Sequence, residues 1–308
     1  MKRYLTYNDF LKFLFGIRVY KIGIEAGFTC PNRDGTKDSA GCIYCDPFGS
    51  SSRIHEKTKP ISSQVLENIP VRKTRYKAKK FIAYFQSFTN TYKPVEELKK
   101  IYDEAIFSHP DIVGISVSTR PDCIDEEKIK LIASYRKYLP YVCIELGMQT
   151  IHNNTLDIIN RKESHEDFLK AYNMIRNYNI SVCAHVMIGL PNETKEMMLK
   201  TAKLLKTINI PEVKIHMTIA LKNTKLAQMF KNGNWKPLEL QQYIEIVSDF
   251  LEILPKTCII HRTSGSGYPK DIIAPIWFDG KRFEIMNLIN KELETRNSFQ
   301  GKYFDNFI

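Results

Sequence analysis

Three cysteines in one short stretch are the residues best suited to chemistry. The segment GFTCPNRDGTKDSAGCIYC places Cys30, Cys42 and Cys45 in a C-x11-C-x2-C pattern. Thiolates at this density are soft ligands that suit zinc or an iron–sulfur cluster. Pro31, Gly35 and Gly41 make the segment a loop able to fold around a metal centre. A structural zinc site closes with four ligands, and no fourth cysteine lies nearby; His55 could serve, but SSRIHEK gives no zinc spacing. Three thiolates on a [4Fe–4S] cluster leave one iron for a small molecule to chelate. Reductive cleavage of S-adenosylmethionine (SAM) needs such an iron, with the cofactors carrying the hard chemistry and the protein supplying orientation.

His185 and His216 are the second candidates. Each alternates with apolar neighbours in a strand-like run, so inward orientation would let it contact substrate or move protons. The plainer reading is a satisfied core histidine. Cys123, Cys143, Cys183 and Cys258 read as buried apolar residues or idle thiols.

These groups need elements to hold them. Short β-branched runs at 19–24, 81–86, 112–118, 142–148, 181–188 and 212–219 read as strands that look apolar on both faces. Between the later runs, helical spacing predicts helices at 94–107, 126–138, 165–177 and 193–207. Six such units imply a parallel sheet with right-handed crossovers, and so an α/β fold, a partial (β/α)6 TIM-like barrel. The tail holds a helix around 240–254, a strand-like TCIIH and a helix near 282–294. The expected division is a barrel over 1–231, with its metal loop at 27–48, and a C-terminal extension over 232–308 packed on it. Functional groups of a parallel barrel gather at the strands' C-terminal ends. Polar or glycine residues follow the runs there at Gln86, Ser116, Glu145, Gly189 and His216, which suggests a ring around an open mouth.

Composition sets the outer bounds. Hydrophobic residues at 43% and charged residues at 26% exclude a disordered or fibrous chain. No run approaches the roughly 20 apolar residues that cross a bilayer. Asp9, Lys12 and Arg18 break the opening segment, and no small-residue cleavage site follows. A cytoplasmic protein without a membrane partner is expected, and the odd count of seven cysteines argues against a secreted disulfide scaffold. The net charge of +11 favours a polyanion such as nucleic acid, or simply a basic soluble surface. The densest basic run, 72–80, precedes the second strand. It suits phosphate contact or a solvated helix face; clustering with Lys281, Arg282 and Lys302 would favour RNA.

The cysteine loop, the segment 84–92 (YFQSFTNTY), 145–149 (ELGMQ), 159–161 (INR), 185–193 (HVMIGLPNE), His216, 261–277 (HRTSGSGYPKDIIAPIW) and 300–302 (QGK) together resemble the YhcC/YtqA (MnmL-type) radical-SAM family over nearly the whole chain. The cysteine spacing is longer than the C-x3-C-x2-C of most radical-SAM enzymes. It is closer to that of the Elongator catalytic subunit, whose radical-SAM domain acts on tRNA wobble uridines.

The resemblance implies a [4Fe–4S] cluster on Cys30, Cys42 and Cys45, with SAM as second cofactor. Tyr44 then shields the cluster or touches the adenine. Gln86, Ser118, Glu145, Gln149 and Arg161 become candidates for the methionine and ribose groups of SAM, an arginine pairing naturally with a carboxylate. Where a Gly-Gly-Glu usually follows the second strand, this chain has 86–90 (QSFTN), so the SAM amino group falls to backbone carbonyls or Gln86. The Gly189–Glu193 stretch resembles the adenine-side element of the fifth strand; its plainer reading is a strand-to-helix turn with Glu193 in the first helical turn. The 261–262 pair could cover the barrel opening. The implied activity converts a 5-carboxymethylaminomethyl group on wobble uridine, or its 2-thio form, toward 5-aminomethyl. Its implied partners are tRNA, an electron donor such as flavodoxin or ferredoxin, and a downstream tRNA methyltransferase. The alternatives are a radical-SAM enzyme of a small metabolite and a zinc-stabilised RNA-binding protein.

Overall fold

A computed structural model of the chain describes residues 2–49, 59–265, 267, 269–280 and 282–304. Helix α1 (Tyr7–Phe15) starts at Thr6, whose side chain accepts from the Asp9 N–H, and ends at Gly16 in the left-handed region. Then follow β1 (Val19–Ile24), α2 (Ile61–Tyr76), β2 (Lys80–Phe85), α3 (Val95–Ile106), β3 (Ile112–Thr119), α4 (Glu126–Ser134), β4 (Tyr141–Gln149), α5 (Asn153–Ile158), α6 (His165–Arg176), β5 (Ser181–Ile188), α7 (Lys195–Thr207) and β6 (Glu212–Met217). Beyond these lie β7 (Ala220–Leu221), α8 (Lys225–Lys231), α9 (Leu240–Ile253), β8 (Ile259–Thr263), β9 (Ile272–Ala274) and α10 (Arg282–Thr295).

Seven strands form one parallel sheet in the order β1-β2-β3-β4-β5-β6-β8. The six expected strands are all present. The strand of the tail, β8, pairs with β6 as a seventh, a long-range pairing that no local periodicity encodes. The strands are not apolar on both faces. Their outward residues, such as Ile22, Phe81, Ile115, Ile144, Val182 and Val213, join one apolar core with Leu98, Tyr102, Ile129, Phe168 and Leu205 of the helices. Polar residues alternate with them at Lys21, Tyr84, Ser116, Glu145, His185 and Lys214. This is the period-2 signature of a sheet whose inner face is wet or ionic.

The sheet curls into a half-barrel. Six strand spacings of about 4.8 Å would hold the edges of a flat sheet nearly 30 Å apart. Instead Lys21 Nζ on β1 lies 3.4 Å from His261 Nδ1 on β8. Helix α1 closes the N-terminal end. Tyr7 packs on His261 with ring centroids 3.9 Å apart, and Tyr7 and Phe10 both meet Tyr141. Access is thereby left to the C-terminal ends of the strands. Among the described residues, no helix is long and apolar enough to cross a membrane.

Candidate active site

A cavity of about 470 Å³ lies at those C-terminal ends. It collects eleven of the residues singled out from sequence: Cys30, Cys42, Tyr44 and Cys45 from the loop, Gln86, Ser118, Glu145, Gln149, His185 and His216 from the strands, and Arg161. Gln149 sits where β4 slips register against β5, and its φ of 65° is left-handed. Such a bulge at a strand end is a common way to re-aim a side chain.

The cysteine loop is clamped from below by the INR segment. Asn160 Nδ2 donates to Gly41 O at 2.9 Å, Asn32 Nδ2 to Asn160 O at 2.6 Å, and the Ile43 N–H to Ile159 O at 3.1 Å. Arg33 Nη2 donates to Cys45 O at 2.6 Å and Asp46 O at 2.8 Å. Arg161 is spent on the same framework. Its Nη2 donates to Gly147 O at 2.9 Å, its Nη1 approaches Cys42 Sγ at 3.7 Å, and its Nε pairs with Glu163 Oε1 at 2.5 Å. Gly147 makes this possible, because a Cβ there would stand 2.6 Å from Arg161 Nη2.

The loop fits an iron–sulfur cluster better than zinc. Two sulfurs on one tetrahedral zinc lie about 3.8 Å apart, from Zn–S bonds of about 2.3 Å. The three loop sulfurs do not all come within 4.8 Å of one another. No fourth cysteine lines the cavity among the described residues, and His55 lies outside them. Burial pushes the Cys45 thiol up to about 11, with Arg33 pulling against it. Asn32 Nδ2 at 3.5 Å and Arg161 Nη1 point at Cys42 Sγ, the outer hydrogen bonding that tunes a bound cluster. The described His, Cys, Asp and Glu groups also bring Glu145, Cys183 and His261 together. The ammonium of Lys21 already sits on Glu145 and His261, so that trio has its cation.

Glu145 is the hub of the cavity floor. Oε1 accepts from Lys21 Nζ and Ser116 Oγ, both at 2.5 Å; Oε2 accepts from His185 Nε2 at 2.7 Å, Lys214 Nζ at 3.0 Å and Tyr84 OH at 3.1 Å. Burial alone would raise its pKa, but Lys21 and Lys214 hold the carboxyl well below its ordinary range. Burial, then Lys214, pushes His185 down to about 3. His185 is therefore neutral and carries its proton on Nε2, facing Glu145. Burial, then His185, holds His216 well below the usual imidazole value. The two rings lie 5.1 Å apart, and His216 Nε2 is buried without a hydrogen-bond partner.

Two expected residues lie elsewhere. Gly189 and Glu193 border a separate hollow with Trp235, whose indole N–H donates to Gly189 O at 3.1 Å. Glu193 accepts from Thr150 Oγ1 at 2.5 Å and precedes Thr194, the N-cap of α7, so it is not in the first helical turn. His261 does not cover the opening. It lies inside the closed end, where its Nε2 meets Glu212. Arg262 does line the cavity. The basic run 72–80 sits at the N-terminal end of β2, away from the cavity. Lys73 and Lys80 pair with Asp111 there, at 2.8 and 3.0 Å, and Arg72 lies over the Tyr20 and Tyr76 rings. Lys281 lies outside the described residues.

Sequence reasoning passed over Lys21, Tyr84, Arg120 and Lys214. The signal was present: a lysine inside an otherwise apolar strand is buried only with a partner. Arg120 follows β3 and is 2% exposed. It lines the cavity and pairs with Asp122 at 2.8 Å and Glu163 at 3.1 Å, while its Nη1 is buried without a hydrogen-bond partner.

Known proteins match along the chain. The Radical SAM superfamily matches residues 27–205, and the Radical SAM C-terminal domain residues 210–295. YtqA of Bacillus subtilis (strain 168) is 38% identical over 303 residues, 98% of this chain and 93% of that protein. A tRNA uridine(34) acetyltransferase of Methanocaldococcus infernus is 31% identical over 66% of this chain and 37% of its own length. In fold, the chain is similar to archaeal Elp3 from Methanocaldococcus infernus at a TM-score of 0.70 and 21% identity. The match covers 92% of this chain and 64% of that one.

Proposed function

Because this chain belongs to the radical SAM superfamily of enzymes, we propose that it modifies the wobble uridine of tRNA, converting 5-carboxymethylaminomethyluridine or its 2-thio form toward the 5-aminomethyl product. One observation carries the radical-SAM part. Three cysteines, and no fourth among the described residues, line the same cavity as a ring of strand-end polar groups. A cluster on Cys30, Cys42 and Cys45 together with SAM would supply a deoxyadenosyl radical able to remove a hydrogen atom. The chain's own residues bind and orient. Arg161, Asn32 and Asn160 hold the loop. Arg120, whose Nη1 has no hydrogen-bond partner, is the arginine that would pair with the SAM carboxylate. Tyr44, Gln86, Ser118 and Gln149, which line the same cavity, would contact the adenosine and amino groups. His185 and His216 face the substrate from β5 and β6, and both are neutral, so neither repels a cationic amine. Gly189 and Glu193 shape the turn that follows β5 and border a separate hollow. The tRNA part is supported by the uridine(34) acetyltransferase relative and by the +11 charge.

The test has two stages. Anaerobically reconstituted protein should show the broad visible absorbance of a cluster and release 5′-deoxyadenosine from SAM with dithionite. Cys42→Ala should lose both signals. In a deletion strain, mass spectrometry of tRNA nucleosides should find the carboxymethylaminomethyl nucleoside retained and the aminomethyl-derived one missing. Unchanged tRNA nucleosides would overturn the substrate; a folded, iron-loaded protein inert toward SAM would overturn the enzyme class.

A further inference from the structure

The cations of the run 72–80 fall into two groups. Lys73 and Lys80 pair with Asp111. Arg72, Arg75, Lys77 and Lys79 have no ion-pair partner among the described residues, and neither have Arg18 and Arg282. The first five share one surface. The Lys79 N–H donates to Arg18 O at 2.8 Å, where β1 and β2 begin side by side. Tyr20 of β1 stacks on Tyr76 of α2, with ring centroids 4.4 Å apart and planes 13° from parallel. The Arg72 guanidinium lies 5.3 and 5.5 Å from the centroids of Tyr20 and Tyr76, and that of Arg75 5.4 Å from Tyr76. Lys77 follows as the left-handed residue that ends α2. Arg18, Arg75, Lys77 and Lys79 are exposed; Arg72 is half-buried, and its Nε has no hydrogen-bond partner. Guanidiniums laid over rings in this way are already ordered, so they lose less rotamer freedom on taking a ligand.

Arg282 joins this surface to the cavity, which it lines. Burial, then Arg282, lowers the pKa of Arg262 inside the cavity. Burial, then Tyr76, raises that of Tyr20 outside it, with Arg72 and Arg282 acting the other way. Arg282 thus stands near both. The six residues of β1, at about 3.3 Å each, put the patch about 20 Å from the strand ends, less than the length of one duplex turn. Cations without carboxylate partners suit a chain of phosphates.

We infer that Arg18, Arg72, Arg75, Lys77, Lys79 and Arg282 form a phosphate-binding track that holds the stem of an RNA whose loop enters the cavity. This rests on the wobble-uridine reading and adds the surface that carries the rest of the RNA. The track contacts backbone and reads no sequence; it sets the stem's position and leaves the choice of base to the cavity. Phe13 and Ile17, exposed just before Arg18, would also suit an anionic lipid surface. Only a ligand that extends into the cavity makes use of Arg282.

The experiment titrates the reconstituted holoenzyme with a fluorescently labelled tRNA transcript, uridine at its wobble position, over a series of salt concentrations. Each phosphate contact removed lowers the slope of log affinity against log salt by about 1. Arg75→Glu combined with Lys79→Glu should lower the slope by about 2 and weaken binding roughly 10-fold. Formation of 5′-deoxyadenosine from SAM alone should stay at the wild-type rate, because neither residue lines the cavity. Lys170→Glu combined with Lys200→Glu makes the same change of charge on α6 and α7 and should keep the wild-type slope. Arg18→Glu combined with Lys77→Glu replaces the first pair if that protein does not fold. A wild-type slope in the patch variant overturns the inference. An equal loss in the α6 and α7 variant shows that net charge alone matters, and overturns it too. So does binding to phosphatidylglycerol vesicles that the patch variant loses while its tRNA binding persists, which assigns the patch to a membrane. A wild type that cleaves SAM yet does not bind the tRNA sinks the wobble-uridine reading along with the track, whereas a patch variant that binds like wild type sinks the track alone.

Discussion

Glu145 organises the cavity floor through two acceptor oxygens that serve five donors. Buried ion pairs add little net stability, yet breaking one leaves an uncompensated charge. Glu145→Gln should therefore cost about 3–5 kcal/mol in urea unfolding, because Lys21 and Lys214 lose their counter-charge. Replacing Lys214 by Met in the same protein should recover part of the loss, which a double-mutant cycle would measure. Arg120 is the complementary case, a buried cation with one donor unspent. Arg120→Gln should weaken SAM binding by roughly 10–100-fold in calorimetric titration of the reconstituted protein. Iron content serves as the check that the loop has assembled.

The INR segment after α5 acts as a clamp for the metal loop. Asn160→Ala removes the hydrogen bond to Gly41 O and puts a Cβ-bearing residue without a local polar side chain at φ 56°. Asn160→Gly removes the same bond but relieves the backbone. Both variants should bind less iron per protein after reconstitution, and only the alanine variant should also lose about 1 kcal/mol or more of stability. Iron loading equal to wild type in the glycine variant would show that the clamp is dispensable. Much of this layer was legible beforehand. The runs at 19–24 and 181–188 coincide with β1 and β5, because β-branched stretches between turn residues have few alternatives. The position of the basic run could also have been deduced, since residues just before a parallel strand lie at the end opposite the active site. The pairing of β8 with β6 could not, because hydrophobic periodicity specifies a strand and not its neighbour. That Gly189 and Glu193 border a separate hollow was hidden for a related reason: a strand end marks the rim but not which side of it the next residues turn to. The inward lysines escaped because each was read as part of an apolar run.

At the scale of the whole molecule, Gln300 ties the segment before α1 to the turn that leads into β8. Gln300 Oε1 accepts from the Leu5 N–H at 2.9 Å, and its Nε2 donates to Pro255 O at 2.6 Å and Cys258 O at 2.7 Å. Gln300→Ala removes the side-chain partner of the Leu5 N–H and of the buried Cys258 O, while Pro255 O keeps the Cys258 N–H; it should cost about 1–3 kcal/mol, visible as a lower urea midpoint. Acid should destabilise the protein through its buried histidines. His185, His216 and His261 all have folded pKa values below the free imidazole value. Their contribution is complete above the unfolded value near 6.5 and is lost as pH falls below it, toward about 3 for His185. The unfolded chain takes up these protons first. Unfolding free energy should thus decline from about pH 6.5 downward by up to about 1.4 kcal/mol per pH unit for each histidine. His185→Gln combined with His216→Gln should flatten that slope; an unchanged slope would show that these imidazoles are charged in the folded protein.

The contact between Lys21 and His261 spans 240 residues and has a consequence for biosynthesis. On the ribosome, the first strand must wait for almost the entire polypeptide to emerge before its ammonium meets that imidazole. Until then β6 presents a bare edge, the template on which nascent chains adhere to one another. Expression yield should accordingly depend on how quickly the last third is translated, and stalling just before β8 should produce aggregates rather than a shorter working enzyme.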